Sequence, residues 1–441
     1  MTHSHSHDHG LEGGWSAWLR DTPLRIVLGC VVAAAIATVV ALVALWPSGE
    51  GRRVAIENAD QLGLVTDRVT ATVDETSDGP CSYSTEENPQ TCRVITLTLT
   101  DGAEDGAVIS LAEINLAFDR SVPRLEVGEQ VILGYEDSTN FYFYVDRDRR
   151  GPLLWLSGIF AVFVIALGRL RGGLAIAAMA LTLFVLVGFV APSVLDGNDP
   201  VLVAVVAASV IAFVSLYLTH GFSPTTTVAL AGTLGALLLT LGLSALFFAL
   251  ADFTGFATEE ALILPSVAGD IDVAALLLGG AVIGALGALD DVTVTQVSTV
   301  AELRRRSPTL PTSELVASGI RVGRDHIAST VNTLLLAYAG ASMPILLLFA
   351  ISDQSLAMVA NSELVAVEIV RTLCGSIGLV AAVPITTGLA AMVLRPTGGE
   401  RTDSAEPSDD LPAARDPGPA ADTAAPDAAP PTWDDFSPEE S

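Results

Sequence analysis

Gly284-Ala285-Leu286-Gly287-Ala288-Leu289-Asp290-Asp291 closes an unbroken apolar, glycine-rich run that begins at Val273. A charge at the centre of a membrane helix costs about 2.5–3.5 kcal/mol on insertion scales, so acids kept beside a span usually have a task. The run is one of eight of its kind, at 24–46, 152–168, 173–195, 200–218, 225–250, 273–289, 330–350 and 369–394. A hydrocarbon core about 30 Å thick takes about 20 helical residues at about 1.5 Å each, and most of the eight qualify. The 152–168 and 273–289 runs are short, and their helices are expected to extend into flanking polar residues. The chain thus reads as a polytopic α-helical membrane protein of about eight spans. Composition agrees: 51% of 441 residues are apolar and the mean hydropathy is +0.53, too high for an ordinary soluble domain. The 24–46 segment starts too far in and runs too long for a cleaved signal peptide, so it reads as a retained anchor.

Orientation follows from the arginines, since the chain contains no lysine. Arg20 and Arg25, Arg169 and Arg171, Arg304 to Arg306 with Arg321 and Arg324, and Arg395 with Arg401 fall on one side if both termini are cytoplasmic. That is the positive-inside pattern. The loops 196–199, 251–272 and 351–368 then lie outside and carry no arginine. Arg371 is the exception, and Glu368 three residues earlier on the same helical face supplies an ion-pair partner. The expected location is the cytoplasmic membrane of a bacterium, with the lipid bilayer as the first partner.

Both ends have biased compositions. Residues 1–23 form a leader with His3, His5, His7 and His9, whose imidazoles are good ligands for zinc, copper or nickel. Metal capture and a plain polar leader with incidental affinity both remain open. Residues 395–441 are rich in Pro, Ala and Asp, and carry much of the net charge of −28. Such a tail cannot bury a core and is expected to be disordered and cytoplasmic. This acidity, with no basic groove, argues against a nucleic-acid partner.

Between the first two spans, residues 47–151 are expected to form an extracytoplasmic all-β domain. Leu64–Val73, Arg93–Thr100, Gln130–Tyr135 and Asn140–Val145 are rich in strand formers, and Asp101-Gly102, Asp105-Gly106 and Val127-Gly128 punctuate them. About five short strands in this length suit a small OB-like barrel. Cys81 and Cys92 lie in a polar loop of this domain, where a disulfide persists. Cys30 and Cys374 sit inside spans as small packing residues.

Four further blocks carry a resemblance. They are His220-Gly221-Phe222 with Thr225–Leu234, Ile283–Val292 running on through Ser298 to Glu302, Arg324–Gly340, and Glu368–Leu379. Together, over about 50–394, they resemble the YibE/F-like family of bacterial multi-pass membrane proteins. The resemblance implies a helical bundle with an outer β-domain and brings no established activity. In relatives a basic residue often follows the Gly-Phe corner; here Ser223-Pro224-Thr225 stands there.

The residues also read for chemistry. On a helix continuing past Leu289, Asp291, Thr295, Ser298 and Glu302 recur at i, i+4, i+7 and i+11, one polar stripe, with Asp290 about a quarter-turn away. Oxygen ligands of this sort suit a proton, sodium or another hard cation. The competing reading is an amphipathic extension with solvated carboxylates. Asp325, His326 and Asn332 add a second polar group at the start of the next span, and a histidine beside an aspartate can relay a proton. Gly280 and Gly284 form a GxxxG pair for close helix packing.

These features favour a secondary transporter or permease-like component with no cofactor and no catalytic residues. An envelope scaffold that binds a partner through 47–151 is the alternative. A remote third reading, an intramembrane aspartyl protease, needs a second membrane aspartate, for which Asp252 is the candidate. The chain has no P-loop, HExxH or GxSxG motif, so it is not expected to be an enzyme.

Overall fold

The computed structural model describes residues 22–64, 66–117, 123–136, 141–269, 271–351 and 354–394. The leader histidines at 3, 5, 7 and 9, Arg20, and the acidic tail from 395 onward lie outside the described residues.

The described residues open with helix α1 (Thr22–Ala44) and a short helix α2 (Glu50–Gln61). The second corrects the sequence reading, in which 47–151 was all β. A six-stranded antiparallel sheet follows: β1 (Asp67–Pro80), β2 (Thr91–Leu99), β3 (Val108–Ser110), β4 (Ile114–Asn115), β5 (Gln130–Glu136) and β6 (Phe141–Arg147). The long β1 pairs with β2 on one side and β5 on the other. Alternate residues Ala71 and Val73, Ile95, Leu97 and Leu99, and Val131 and Leu133 are fully buried on one face, as a pleat with period two demands. The register slips between Val73 and Glu75, a bulge of the kind that bends a strand. Strand order is β3-β2-β1-β5-β6, with β4 beside β2. Closing it into a barrel needs β3 to pair with β6, and no such pairing occurs among the described residues. Cys81 and Cys92 lie at disulfide distance, with Cα atoms 4.8 Å apart, where β1 hands over to β2. Close by, Arg93 grips Asp78 with two bonds of 2.6 and 2.7 Å. That charge-assisted fork holds the Asp78 carboxyl below its ordinary pKa.

The remainder is helical: α3 (Arg150–Val185), continued by a π turn (Leu186–Val190) into α4 (Ala191–Leu195), then α5 (Pro200–His220), α6 (Pro224–Leu250), α7 (Glu259–Ala268), α8 (Val273–Arg306), α9 (Thr312–Ala341), α10 (Met343–Ile351), α11 (Leu356–Asn361) and α12 (Glu363–Val393). Six helices are long and apolar enough to cross a membrane, or seven if the bent pair α9 and α10 is one span. The expected single span at 330–350 is broken: α9 and α10 meet at 62°. The stretch Arg150–Leu195 counts once although it holds 46 residues. At about 1.5 Å per residue it would be more than twice as long as a bilayer core is thick. It is interrupted at Arg169 (φ 50°, ψ −128°), between the runs 152–168 and 173–195 expected as separate spans. A Cβ on Gly172 would strike the Val164 carbonyl, so the chain folds sharply there.

Small residues let these helices meet. A Cβ on Gly232 would collide with the Thr386 hydroxyl, and one on Gly378 with that of Thr240. As one number rises the other falls, so α6 and α12 run antiparallel and interlock glycine against threonine. The expected Gly280/Gly284 pair does not act this way. Gly280 faces open space, Gly284 meets Tyr338, and Gly279 is the residue pressed against α5, at Ala204 and Pro200.

Candidate functional site

Helix α8 buries one face along its whole length, from Val282, Ala285, Leu286 and Leu289 to Val292, Thr293, Gln296 and Val300. This 3.6-residue periodicity leaves Asp291, Thr295 and Ser298 exposed on the opposite face, with Asp290 half-buried at the boundary. The expected helical stripe is therefore present. It faces a cavity of about 480 Å³ whose walls include Asp290, Asp291 and Thr295 of α8, Ser215, Thr219 and His220 of α5, and Arg171 of α3. Gly287 also lines it, one helical turn before Asp291. A smaller cavity of about 120 Å³, lined by Thr225, Thr226 and Ser298, shares His220 and Val294 with the first.

On another side, α9 brings His326 to Asp291, with Nε2 3.7 Å from Oδ2. That is beyond hydrogen-bond length, and His326 Nε2 is buried with no hydrogen-bond partner. Asp290 Oδ1 is in the same condition. Buried polar atoms are normally satisfied by protein or water; these are two of eight such side-chain atoms among the described residues, and they lie on neighbouring helices close to Asp291.

Behind the carboxylates lies a buried polar lattice. Thr293 Oγ1 is 2.6 Å from Thr233 Oγ1 of α6 and donates to the Asp290 carbonyl at 3.1 Å. Gln296 Nε2 donates to the Gly319 carbonyl of α9 at 2.8 Å and to Thr387 Oγ1 of α12 at 2.7 Å. A Cβ on Gly319 or Gly323 would crowd Gln296, Thr387 or Val383. Four helices are thereby pinned around the turn that carries Asp290 and Asp291.

Other expected residues lie elsewhere. Glu302 pairs with Arg306 at 2.6 Å and with Arg305, as a solvated extension would, and does not line the larger cavity. Asp325 and Asn332 are exposed on α9; the structure does not bring them into that cavity. Glu368 holds Arg371 at 2.7 Å, the pair expected from their spacing. Thr233 contacts Thr293 across α6 and α8, which places Asp252 roughly 24 Å along the helix axis from Asp290 at about 1.5 Å per residue. The two aspartates form no protease dyad. Among the described residues no group of three or more His, Cys, Asp or Glu is placed to hold a metal ion.

The sequence reading overlooked Arg171 and His220 as cavity walls. Arg171 had been used only for orientation, and His220 stood in a quoted motif without a partner. The helix that carries His220 starts on an ordinary signal: Asp199 caps α5 by accepting from the Leu202 amide at 2.8 Å, and Ser223 caps the following α6 at Thr226.

The sequence profile of the YibE/F-like protein family matches residues 156–396, more than half of the chain. This chain belongs to the YibE/F-like family. No curated protein and no solved structure matches it. The family match includes Arg171, His220, Asp290, Asp291 and His326, so the whole junction lies inside it. The sheet lies outside the matched residues, so the match does not test the expected likeness between about residue 50 and residue 155.

Proposed function

We propose that this YibE/F-like chain is a secondary transporter, with Asp290, Asp291 and His326 as the group that takes up a proton or hard cation. The observation that carries the reading is the approach of His326 to Asp291 beside two buried atoms without hydrogen bonds. Carboxylates within a membrane helix that face a polar cavity are the usual material of ion and proton relays. The working orientation places both termini and this cavity on the cytoplasmic side of a bacterial cytoplasmic membrane. Arg150–Leu195 serves as two spans broken at Arg169, which gives eight in all. The sheet then lies outside, where its two cysteines stay oxidised, and strands β3 and β6 close it into a barrel only if they come to pair.

The test is flux. Full-length protein in liposomes, given a sodium or pH gradient, should move radioactive sodium or protons reported by an entrapped dye. Asp290→Asn and Asp291→Asn should remove most of that flux at equal incorporation. Equal flux in the wild type and the double variant overturns the reading.

One observation favours the scaffold alternative. Strand β6 ends the strand order, its Phe141 is exposed, and the Phe141 and Phe143 rings stack at 6.4 Å. An edge strand of this kind accepts a partner's strand. Loss of function on replacing Phe141, with flux intact, would favour it.

A further inference from the structure

The larger cavity has a charge arrangement that a lone coupling ion does not use. On one wall stand Asp290 and Asp291; on another stands Arg171, with Ser215, Thr219 and His220 beside it. Its volume, about 480 Å³, falls within the range of roughly 300–1,000 Å³ typical of small-molecule sites. Among the described residues Arg171 makes no ion pair within 4.0 Å, although it shares this space with two carboxylates. Arg171 and Asp291 are both exposed to this space, so an occupant that carries both signs can take the place of water on each wall with charge-assisted hydrogen bonds.

Each single-charge occupant fails on one wall. An anion held by Arg171 would face two carboxylates. A second cation beyond the coupling ion would face the guanidinium. A molecule carrying both charges meets each wall with its opposite, and guanidinium suits a carboxylate through a two-bond fork. The hydroxyls agree. Thr219 Oγ1 spends its proton on the Ser215 carbonyl at 2.7 Å, so toward the cavity it offers only lone pairs, which accept from an ammonium. The smaller cavity beyond His220, lined by Thr225, Thr226 and Ser298, leaves room for a short polar substituent.

We propose that this cavity binds a small zwitterion, its ammonium toward Asp290 and Asp291 and its carboxylate on Arg171. The proposal rests on the transport reading only in naming the cargo, because binding is measured without a gradient.

The experiment uses the full chain in lipid nanodiscs and equilibrium dialysis against a radiolabelled mixture of neutral L-amino acids. Labelled acetate and methylammonium serve as single-charge probes. The amino-acid mixture should bind saturably in the millimolar range or tighter, and neither single-charge probe should compete. Arg171→Gln and Asp291→Asn, on two different helices, should each weaken binding about tenfold or more, the loss of one charge-assisted contact. Arg321→Gln, an exposed arginine outside the cavity, should bind normally and shows that charge removal alone is harmless. Amino-acid binding that survives both cavity variants overturns the proposal. So does binding of acetate or methylammonium in place of the amino acids, or no binding of the mixture. Zwitterion binding without flux sinks transport alone; Asp291-dependent flux without zwitterion binding sinks the ligand proposal alone.

Discussion

His326 Nε2 stands 3.7 Å from Asp291 Oδ2, across the contact between α8 and α9. The distance is too long for a direct hydrogen bond. Nε2 has no hydrogen-bond partner, and on the proposed function a proton or water taken up here would be shared by the two side chains.

A double-mutant cycle measures that sharing. His326→Gln and Asp291→Asn should each reduce ion flux in liposomes, and the double variant should be no worse than the poorer single. Strictly additive losses would mean that the two residues act independently.

The interlock between α6 and α12 should be sensitive to one methyl group. Gly378→Ala drives a Cβ into the Thr240 hydroxyl, and overpacking of this kind costs about 1–3 kcal/mol. Thermal unfolding in detergent should fall for Gly378→Ala and recover in part when Thr240→Ala is added. A Gly378→Ala protein that melts like wild type would show that α12 can shift freely.

Asp196 ties the turn before α2 to the end of α4. Its carboxylate accepts from the Ser48 hydroxyl at 2.8 Å, the Gly51 amide at 2.8 Å, the Gly49 amide at 3.2 Å and the Ser48 amide. A Cβ on Gly51 would strike the Leu195 carbonyl, so the approach needs glycine. Burial pushes the carboxyl up, but the four donors outweigh it and its pKa lies below the ordinary value. Stability from such a depressed acid is present above the unfolded pKa, about 3.9, and is lost as pH falls through the lower folded value. The melting temperature of the wild type should therefore drop below about pH 4, and Asp196→Asn should flatten that drop while melting lower at neutral pH. Parallel curves for the two proteins would remove the latch from the account.

The Cys81–Cys92 link closes a loop with a sequence separation of 11. By the chain-entropy argument it contributes roughly 3 kcal/mol. Thiol-blocking mass spectrometry should find this pair linked and Cys30 and Cys374 free. Cys81→Ser with Cys92→Ser should lower the unfolding temperature of the sheet, as followed by proteolysis. Alkylation of both cysteines without reduction would contradict the bond.

Orientation has a direct check. A reporter phosphatase that works only outside the cytoplasm should be active when fused at Gly102 and silent at Pro308. The reverse pattern would turn the working topology over.

Much of this architecture is legible in the chain. Apolar runs of span length become the long helices because a helix satisfies its own backbone where water is absent. The continuation of α8 past Asp291 to Arg306 follows from the i, i+4, i+7 stripe, and the Cys81–Cys92 pairing from two cysteines in a β-rich segment. The helix α2 was missed because Glu50–Gln61 is polar, and the break at Ser342 because apolar residues continue on both sides of it, although Pro344 two residues on is a helix breaker. The GxxxG pair misled, because spacing shows that a close approach is affordable and not which glycine makes it.

What the sequence by itself determined is where most of the long helices and the main strands occur and which face of α8 is polar, since these depend on local hydrophobic runs and periodicity. Which residues meet was decided by the tertiary structure alone. Spans that are apolar all round carry no periodic mark of their neighbour, so Arg171 opposite Asp290 and Asp291, or His326 beside Asp291, is invisible along the chain. Those meetings follow from side-chain shape: the threonine hydroxyls that fill glycine gaps between α6 and α12, and Gln296 bonded across three helices.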